Sequence, residues 1–224
     1  MTSRPTVLSP ATPSELLSHI ISCHRYPATL IVGCSKQEFL SAVVEDVAQQ
    51  LYLQDEQPHG TENHETPSHP FLKAPLYQVA ISRHIRIIFT PTVTHFRSYL
   101  SVFSAADSPI PAPPNHVPDH KPPLLLVYGL LALHRDASEW SAQGIGNSAA
   151  VLVDGAARNA FQPVLVEPRG VGGYEDLDHL CNEVVPLLNG TARKDDGSWS
   201  GRGVNIKQVL CRWFEFESLE WAAR

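Results

Sequence analysis

Three things are scarce in this 224-residue sequence, and each scarcity removes a class of protein. Only four cysteines occur, at 23, 34, 181 and 211, with no CxxC pair and no regular spacing. That argues against a disulfide framework and against structural zinc, and it suits reduced thiols in an intracellular protein. Long apolar runs are absent: no segment approaches the roughly 20 apolar residues of a membrane helix. The N-terminal MTSRPTVLSPATPSELL carries no apolar run behind a basic flank, so a soluble protein without membrane contact is expected. Positive charge is short as well, with 17 Lys and Arg against 23 Asp and Glu and a net charge of -6. Such a chain does not coat nucleic acid by itself, so any nucleic-acid contact should be local and shared with partners.

Apolar residues, at 43% against 18% charged, are plentiful enough for a globular domain. The length suits one domain that buries its core without covalent staples. The 19 prolines outnumber the 13 glycines and mark long irregular connections.

Strand and helix patterns alternate along the chain. SELLSHIISCH (14 to 24) has helical spacing behind a Ser14 cap. ATLIVGC (28 to 34) is a strand stopping at Gly33, and KQEFLSAVVEDVAQQLYL (36 to 53) sets Phe39, Leu40, Val43, Val44, Val47 and Leu51 on one helical stripe. Residues 54 to 70 are polar, with three prolines and His59, His64 and His69, and read as a solvated loop. A strand at Ile85 to Phe89 precedes a helix from about 92 to 104, and seven prolines between 109 and 123 lead into the buried strand of LLLVYGLLALH (124 to 134). A long helix is expected from Ser138 to Ala160 despite Gly144, Gly146 and Gly155, then a strand in QPVLVEP (162 to 168). DLDHLCNEVVPLL mixes a short helix with a strand edge, and RGVNIKQVLCRWFEFE (202 to 217) alternates in period two, pairing with VPLLNG as a terminal antiparallel hairpin. The sum is an α/β protein: one three-layer domain whose mostly parallel sheet includes strands near 29 to 33, 85 to 89, 124 to 128 and 163 to 167. The domain should run over 28 to 217, with an N-terminal helix and arm at 1 to 27 and irregular loops near 54 to 75 and 106 to 123.

TLIVGCSKQEFLS opens like a strand and phosphate loop. A working loop needs G-x-x-x-x-G-K-[ST], in which backbone amides wrap the phosphates, the lysine reaches the outer ones and the hydroxyl holds Mg²⁺. Counting from Gly33, Glu38 stands for the second glycine, Phe39 for the lysine and Leu40 for the hydroxyl. Lys36 lies nearby, out of register. The metal-holding carboxylate of an ATPase belongs at the end of a buried strand, where LLLVYG has Tyr128. Neither nucleotide hydrolysis nor tight nucleotide binding is expected, and no cofactor.

Together TLIVGCSKQEFLS, HIRIIFTPTVTHFRSYLSVF, PPLLLVYGLLALH and GVNIKQVLCRWFEFE resemble the RecA-superfamily recombinase paralogs, especially the small partner of the SWIM-domain protein in Shu-type homologous-recombination complexes. The resemblance covers roughly residues 28 to 217. It implies a RecA-like fold with degenerate Walker motifs and a non-catalytic accessory factor in a hetero-oligomer with other RecA-like or SWIM-domain subunits. It also implies a nuclear location and help in assembling the recombinase filament on single-stranded DNA. The RecA-like ring subunits of the Elongator tRNA-modification complex are the alternative, and would place the chain in the cytoplasm.

The remaining constellations have plain structural readings. His116 and His120 have ligand spacing but sit among prolines, so a solvated loop is preferred to a metal site. Cys34 lacks a His or Asp pattern for covalent catalysis and reads as a structural thiol. Arg193, Lys194, Arg202, Lys207 and Arg212, interleaved with Trp199 and Trp213, have the texture of a single-strand-binding surface diluted by Asp195, Asp196, Glu215 and Glu217. Trp213 reads as core. Trp140, Trp199 and the 202 to 217 hairpin are the candidate partner contacts, with Arg193, Lys194, Arg202 and Lys207 assisting DNA.

Overall fold

The four apolar runs ATLIV, IRIIF, LLLVY and QPVLV become strands of one sheet. The computed structural model describes residues 4–23, 25–55, 69–73, 75–106, 110–112, 121–135, 137–170, 173–188 and 202–221. The element order begins β1 (Thr6–Leu8), α1 (Pro13–Cys23), β2 (Ala28–Val32), α2 (Lys36–Asp55), α3 (Pro70–Lys73), α4 (Leu76–Ser82), β3 (Ile85–Phe89) and α5 (Val93–Ser101). It continues β4 (Leu124–Tyr128), α6 (Leu130–Arg135), α7 (Ala142–Arg158), β5 (Gln162–Val166), α8 (Leu177–Asn182), β6 (Val184–Pro186), β7 (Gly203–Asn205), α9 (Ile206–Leu210) and β8 (Glu215–Glu217).

The six-stranded sheet has the order β3-β2-β4-β5-β1-β8, and every pairing in it is parallel. From β1 to β3 the chain moves toward one edge, and from β3 onward it moves toward the other. Right-handed crossovers therefore send α1 and α2 to one face and α5, α6 and α7 to the opposite face. Strand side chains alternate between the two resulting cores. In β4, Leu124, Leu126 and Tyr128 join Leu16, Ile20 and Phe39 on the α1/α2 face, while Leu125 and Val127 join Phe96, Leu100, Ile145 and Leu152 on the α5/α7 face. This is the three-layer α/β fold expected from the alternation, with the antiparallel ladder β6-β7 separate from the sheet.

Several details differ from the sequence reading. β1 is a central strand between β5 and β8, so the sheet also draws on residues before 28. Its three residues between Pro5 and Pro10 are too few to show a period. The first helix starts at Pro13, and Thr12 rather than Ser14 accepts the Leu16 amide as its first turn closes. The 138 to 160 helix is shorter, Ala142–Arg158, with the separate α6 before it; α3 lies in a stretch read as irregular, and α4 fills a stretch given no element. The 202 to 217 segment is not one hairpin strand. After β7, Asn205 and Gln208 form a capping box that turns the chain into α9, burying Ile206 and Leu210, and β8 then pairs parallel to β1. A short run with apolar residues at 204, 206 and 210 satisfies period two and the i, i+4 spacing equally, and capping decided. On α2 only one of two adjacent rows meets the sheet: Phe39 and Val47 are buried, whereas Leu40 is 50%, Val44 67% and Tyr52 64% exposed. His69 is not a solvated loop residue but only 5% exposed, hydrogen-bonded to Gln50 at 3.0 Å. His59, His64, His116 and His120 lie outside the described residues.

Within the α5/α7 core lies a fully buried histidine. His134 bonds through Nδ1 to the Leu130 carbonyl (2.8 Å) and through Nε2 to the Ser148 hydroxyl (3.0 Å), which also accepts from Arg97 Nε (2.9 Å). That pattern suits a neutral ring, and burial, followed by the nearby Arg97 charge, lowers its pKa from the ordinary value. A histidine lowered in the folded state binds its proton more readily when unfolded, so its contribution to stability is complete above about pH 6.5 and is lost as pH falls below that value. Urea midpoints should decline from pH 7 to pH 5, and the decline should be smaller in His134→Gln.

Candidate functional site

Parallel α/β sheets bind ligands outside the carboxyl ends of their strands, where neighbouring connections leave toward opposite faces. Here that crevice lies between β2, which continues into α2, and β4, which continues into α6. The Gly33 amide donates to the Tyr128 carbonyl (2.8 Å) and the Gly129 amide to the Val166 carbonyl (2.9 Å), so three strand ends are stitched together at this point. A Cβ on Gly33 would stand 2.4 Å from the Gly129 carbonyl oxygen. Gly33 is thus required by the close passage of two backbones, independent of any phosphate.

The residues after Gly33 close the N-terminus of α2. The Ser35 amide donates to the Glu38 carboxylate (2.7 Å) and the Glu38 amide donates to the Ser35 hydroxyl (3.2 Å), a reciprocal capping box. Hydrogen bonding from Ser35 holds the Glu38 carboxyl below its ordinary pKa. Glu38 therefore lies across the helix N-terminus, where a phosphate would bind. Lys36 and Leu40 are exposed, while Phe39 is buried with its ring 5.9 Å from that of Tyr128 and 6.1 Å from that of Phe89. Cys34 has its thiol pushed up to about 11 by burial and then by Glu38, so it is protonated and a poor nucleophile at neutral pH.

At the end of β4 the Tyr128 hydroxyl donates to the Ala11 carbonyl in the loop after β1 (3.0 Å). Its pKa is raised, first by burial and then by the charges of Glu167, Asp46, Cys34 and Glu15. Glu167, just past β5, is completely buried and accepts from the amides of Leu131 (2.8 Å) and Ala132 (3.3 Å) at the start of α6. Burial pushes its carboxyl up to about 8, against the opposing pull of those two amides. The loop after β1 is filled in the same manner. The Thr12 amide donates to Glu15 (2.8 Å), the Ser14 amide to Asp46 (2.9 Å), and Arg169 pairs with Glu15. The C-terminal tail closes over this loop: the Leu219 amide donates to the Ser9 hydroxyl (3.0 Å) and the Trp221 indole to the Ser9 carbonyl (3.1 Å). Thr92 caps α5 and Asp176 caps α8. Each helix leaving β1 to β5 at this edge thus has an N-terminal amide engaged by a side chain of the chain itself, and at α1, α2, α6 and α8 that side chain is a carboxylate. At α6 the buried Glu167 carboxyl is mostly protonated at neutral pH, but Glu38, Glu15 and Asp46 leave this edge with negative charge and satisfied donors, the reverse of what a nucleotide requires.

A second cluster lies after α6. Arg135 donates to both Glu183 oxygens (2.8 and 3.0 Å) and to the Tyr174 hydroxyl (2.9 Å), and its guanidinium stands 5.0 Å from the Trp140 ring centroid and 5.4 Å from that of Tyr174. Trp140, a candidate partner contact, is half-buried in this stack and packs against the α5/α7 core. Arg202 and Lys207 are exposed, on β7's approach and on α9, and neither lies among the residues of the β2/β4 crevice. Arg193, Lys194 and Trp199 lie outside the described residues.

Sequence reasoning brought Gly33, Glu38, Phe39 and Tyr128 to one edge but missed Ser35, Glu15, Asp46, Glu167 and Arg135. For Glu167 a signal existed: a carboxylate closing the apolar run QPVLVEP. For Ser35 the signal was the S-x-x-E spacing to Glu38 ahead of a helix, whereas Glu15, Asp46 and Arg135 are recognisable only from contacts far apart in the chain. Among the described residues no group of three or more His, Cys, Asp and Glu could hold a metal ion, and no helix is long and apolar enough to cross a membrane. No family model matches this chain, and neither does any curated protein.

Proposed function

We propose that this chain is a non-catalytic, RecA-like accessory subunit of a homologous-recombination repair complex, supporting recombinase filament assembly on single-stranded DNA together with RecA-like or SWIM-domain partners. The sequence resemblance suggests the family. The observation that carries the non-catalytic part is the carboxyl edge of the sheet, where Glu38, Glu167, Glu15 and Asp46 occupy the helix N-termini that would bind phosphate. A domain without nucleotide chemistry acts through its surfaces, and large apolar side chains are exposed here on α2 and on α4, among them Leu40, Val44, Tyr52, Leu76 and Tyr77.

The test has two arms. Calorimetry with Mg²⁺-ATP on the purified chain should give no measurable heat of binding; micromolar affinity would overturn the non-catalytic assignment. Purification from cells should recover a recombinase or a SWIM-domain protein. In the recovered complex, Arg202→Glu with Lys207→Glu should weaken single-stranded DNA binding and flatten its salt dependence, each lost phosphate contact removing roughly 0.7 log units per log unit of salt. Recovery of Elongator subunits instead would replace repair by tRNA modification.

A further inference from the structure

Between α7 and α9 runs a surface groove of about 430 Å³. Its floor is a row of small residues on α7, Ala142, Gly146 and Ala150, spaced four apart so that they share one helical face. Its opposite wall is Val209 and Trp213, and a Cβ on Gly146 would already stand 3.4 Å from the Trp213 ring. The size falls within the range of sites that bury a ligand group, and the floor and wall are apolar. The polar lining is Gln143, Asn147, Gln208 and one cation. Arg212, in the turn after α9, lines the groove with its guanidinium 5.5 Å from the centroid of Trp213. None of the ion pairs among the described residues uses Arg212, whereas Arg4, Arg97, Arg135, Arg158 and Arg169 are all paired. On a protein of net charge -6, this largely apolar groove thus carries an arginine outside the ion pairs. Val184 and Leu188, both exposed, extend apolar surface along the neighbouring β6 side.

We propose that this groove docks an acidic amphipathic helix of a partner protein, with a large apolar side chain against Ala142, Gly146 and Trp213 and a carboxylate against Arg212. A helix fits because a row of small residues lets a second helix approach closely, and apolar anchors at i, i+3 or i+4 then enter the channel. The carboxylate follows from complementarity: among the described residues Arg212 is the one charged group lining the groove, and it offers a bidentate donor fork. Granted the accessory-subunit function proposed above, this is where the partner subunit is held.

The test is site-specific photo-cross-linking of the full chain in cells. A benzoylphenylalanine placed at Asn147, exposed on the groove lip, should cross-link to one partner segment. Mass spectrometry should show that segment to be helix-forming, with a large apolar residue and Glu or Asp within one turn of it. The same probe at Ser41 on α2 should not reach that segment. Arg212→Glu should lower the cross-link yield at least fivefold, and replacing the partner's carboxylate with Arg should restore it, a rescue that a merely misfolded groove would not show. Gly146→Leu, which fills the channel, should abolish the cross-link, with circular dichroism confirming the fold. Cross-linking to nucleic acid, to residues 189 to 201 of this same chain, to a segment without a carboxylate, or to nothing would overturn the proposal, as would failure of the charge-swap rescue. A cross-linked acidic helix from a protein unconnected with recombination would keep the groove and discard the repair function.

Discussion

Alanine at Gly33 is expected to lower unfolding stability by about 3 kcal/mol, the scale of severe overpacking. The added methyl would stand 2.4 Å from the Gly129 carbonyl oxygen, 3.1 Å from the carbonyl carbon and 3.2 Å from the Tyr128 oxygen. All three are backbone atoms of the β4 end, so relief requires β2 and β4 to separate. In a nucleotide-binding loop the equivalent substitution acts mainly on the ligand, through the space the phosphate needs. Denaturant unfolding separates the two cases: a Gly33→Ala protein as stable as the parent would show that the residue is not held by strand packing. Gly146→Ala is the comparison, since its methyl meets only the edge of Trp213 at 3.4 Å and should cost under about 1 kcal/mol.

Removing Glu167 is the second large effect. In Glu167→Ala the amides of Leu131 and Ala132 lose their acceptor inside the protein and a cavity opens, together worth about 3 kcal/mol. The pH dependence identifies the cause. Because the folded carboxyl titrates at about 8 and the unfolded one near 4.5, the folded state binds the extra proton between those values. The protonated form's contribution is complete below about pH 4.5 and is lost as pH rises through 8. Glu167→Gln, which cannot ionise, should remove this decline, so the gap between parent and variant should shift in favour of Gln by pH 8.5. Urea midpoints at pH 6 and pH 8.5 measure it. A parent whose midpoint rises over that interval relative to Glu167→Gln would mean that the two amides and Arg135 outweigh burial and keep the carboxylate charged.

The same two residues show how far the sequence reaches. Strand–helix alternation and the runs at 28 to 32, 85 to 89, 124 to 128 and 162 to 166 were legible because strands of a covered parallel sheet are mostly apolar, β4 at every position and even the edge strand β3 at four of five, a property of each segment alone. The failure of the phosphate loop was legible too, since Glu38, Phe39 and Leu40 exclude it by chemistry. The order β3-β2-β4-β5-β1-β8 was not legible, and with it went most of the site. Strand order depends on which crossover buries which helix face, a sum over contacts far apart in sequence. That sum inserts Thr6–Leu8 between β5 and β8, brings Glu15 and Asp46 toward Tyr128, and sets Glu167 across the start of α6. Composition determined that this chain would fold as a parallel α/β sheet without a phosphate loop. Only the packing decided that carboxylates would occupy its helix N-termini, because a buried amide must find an acceptor and the fold chooses which acceptor is near.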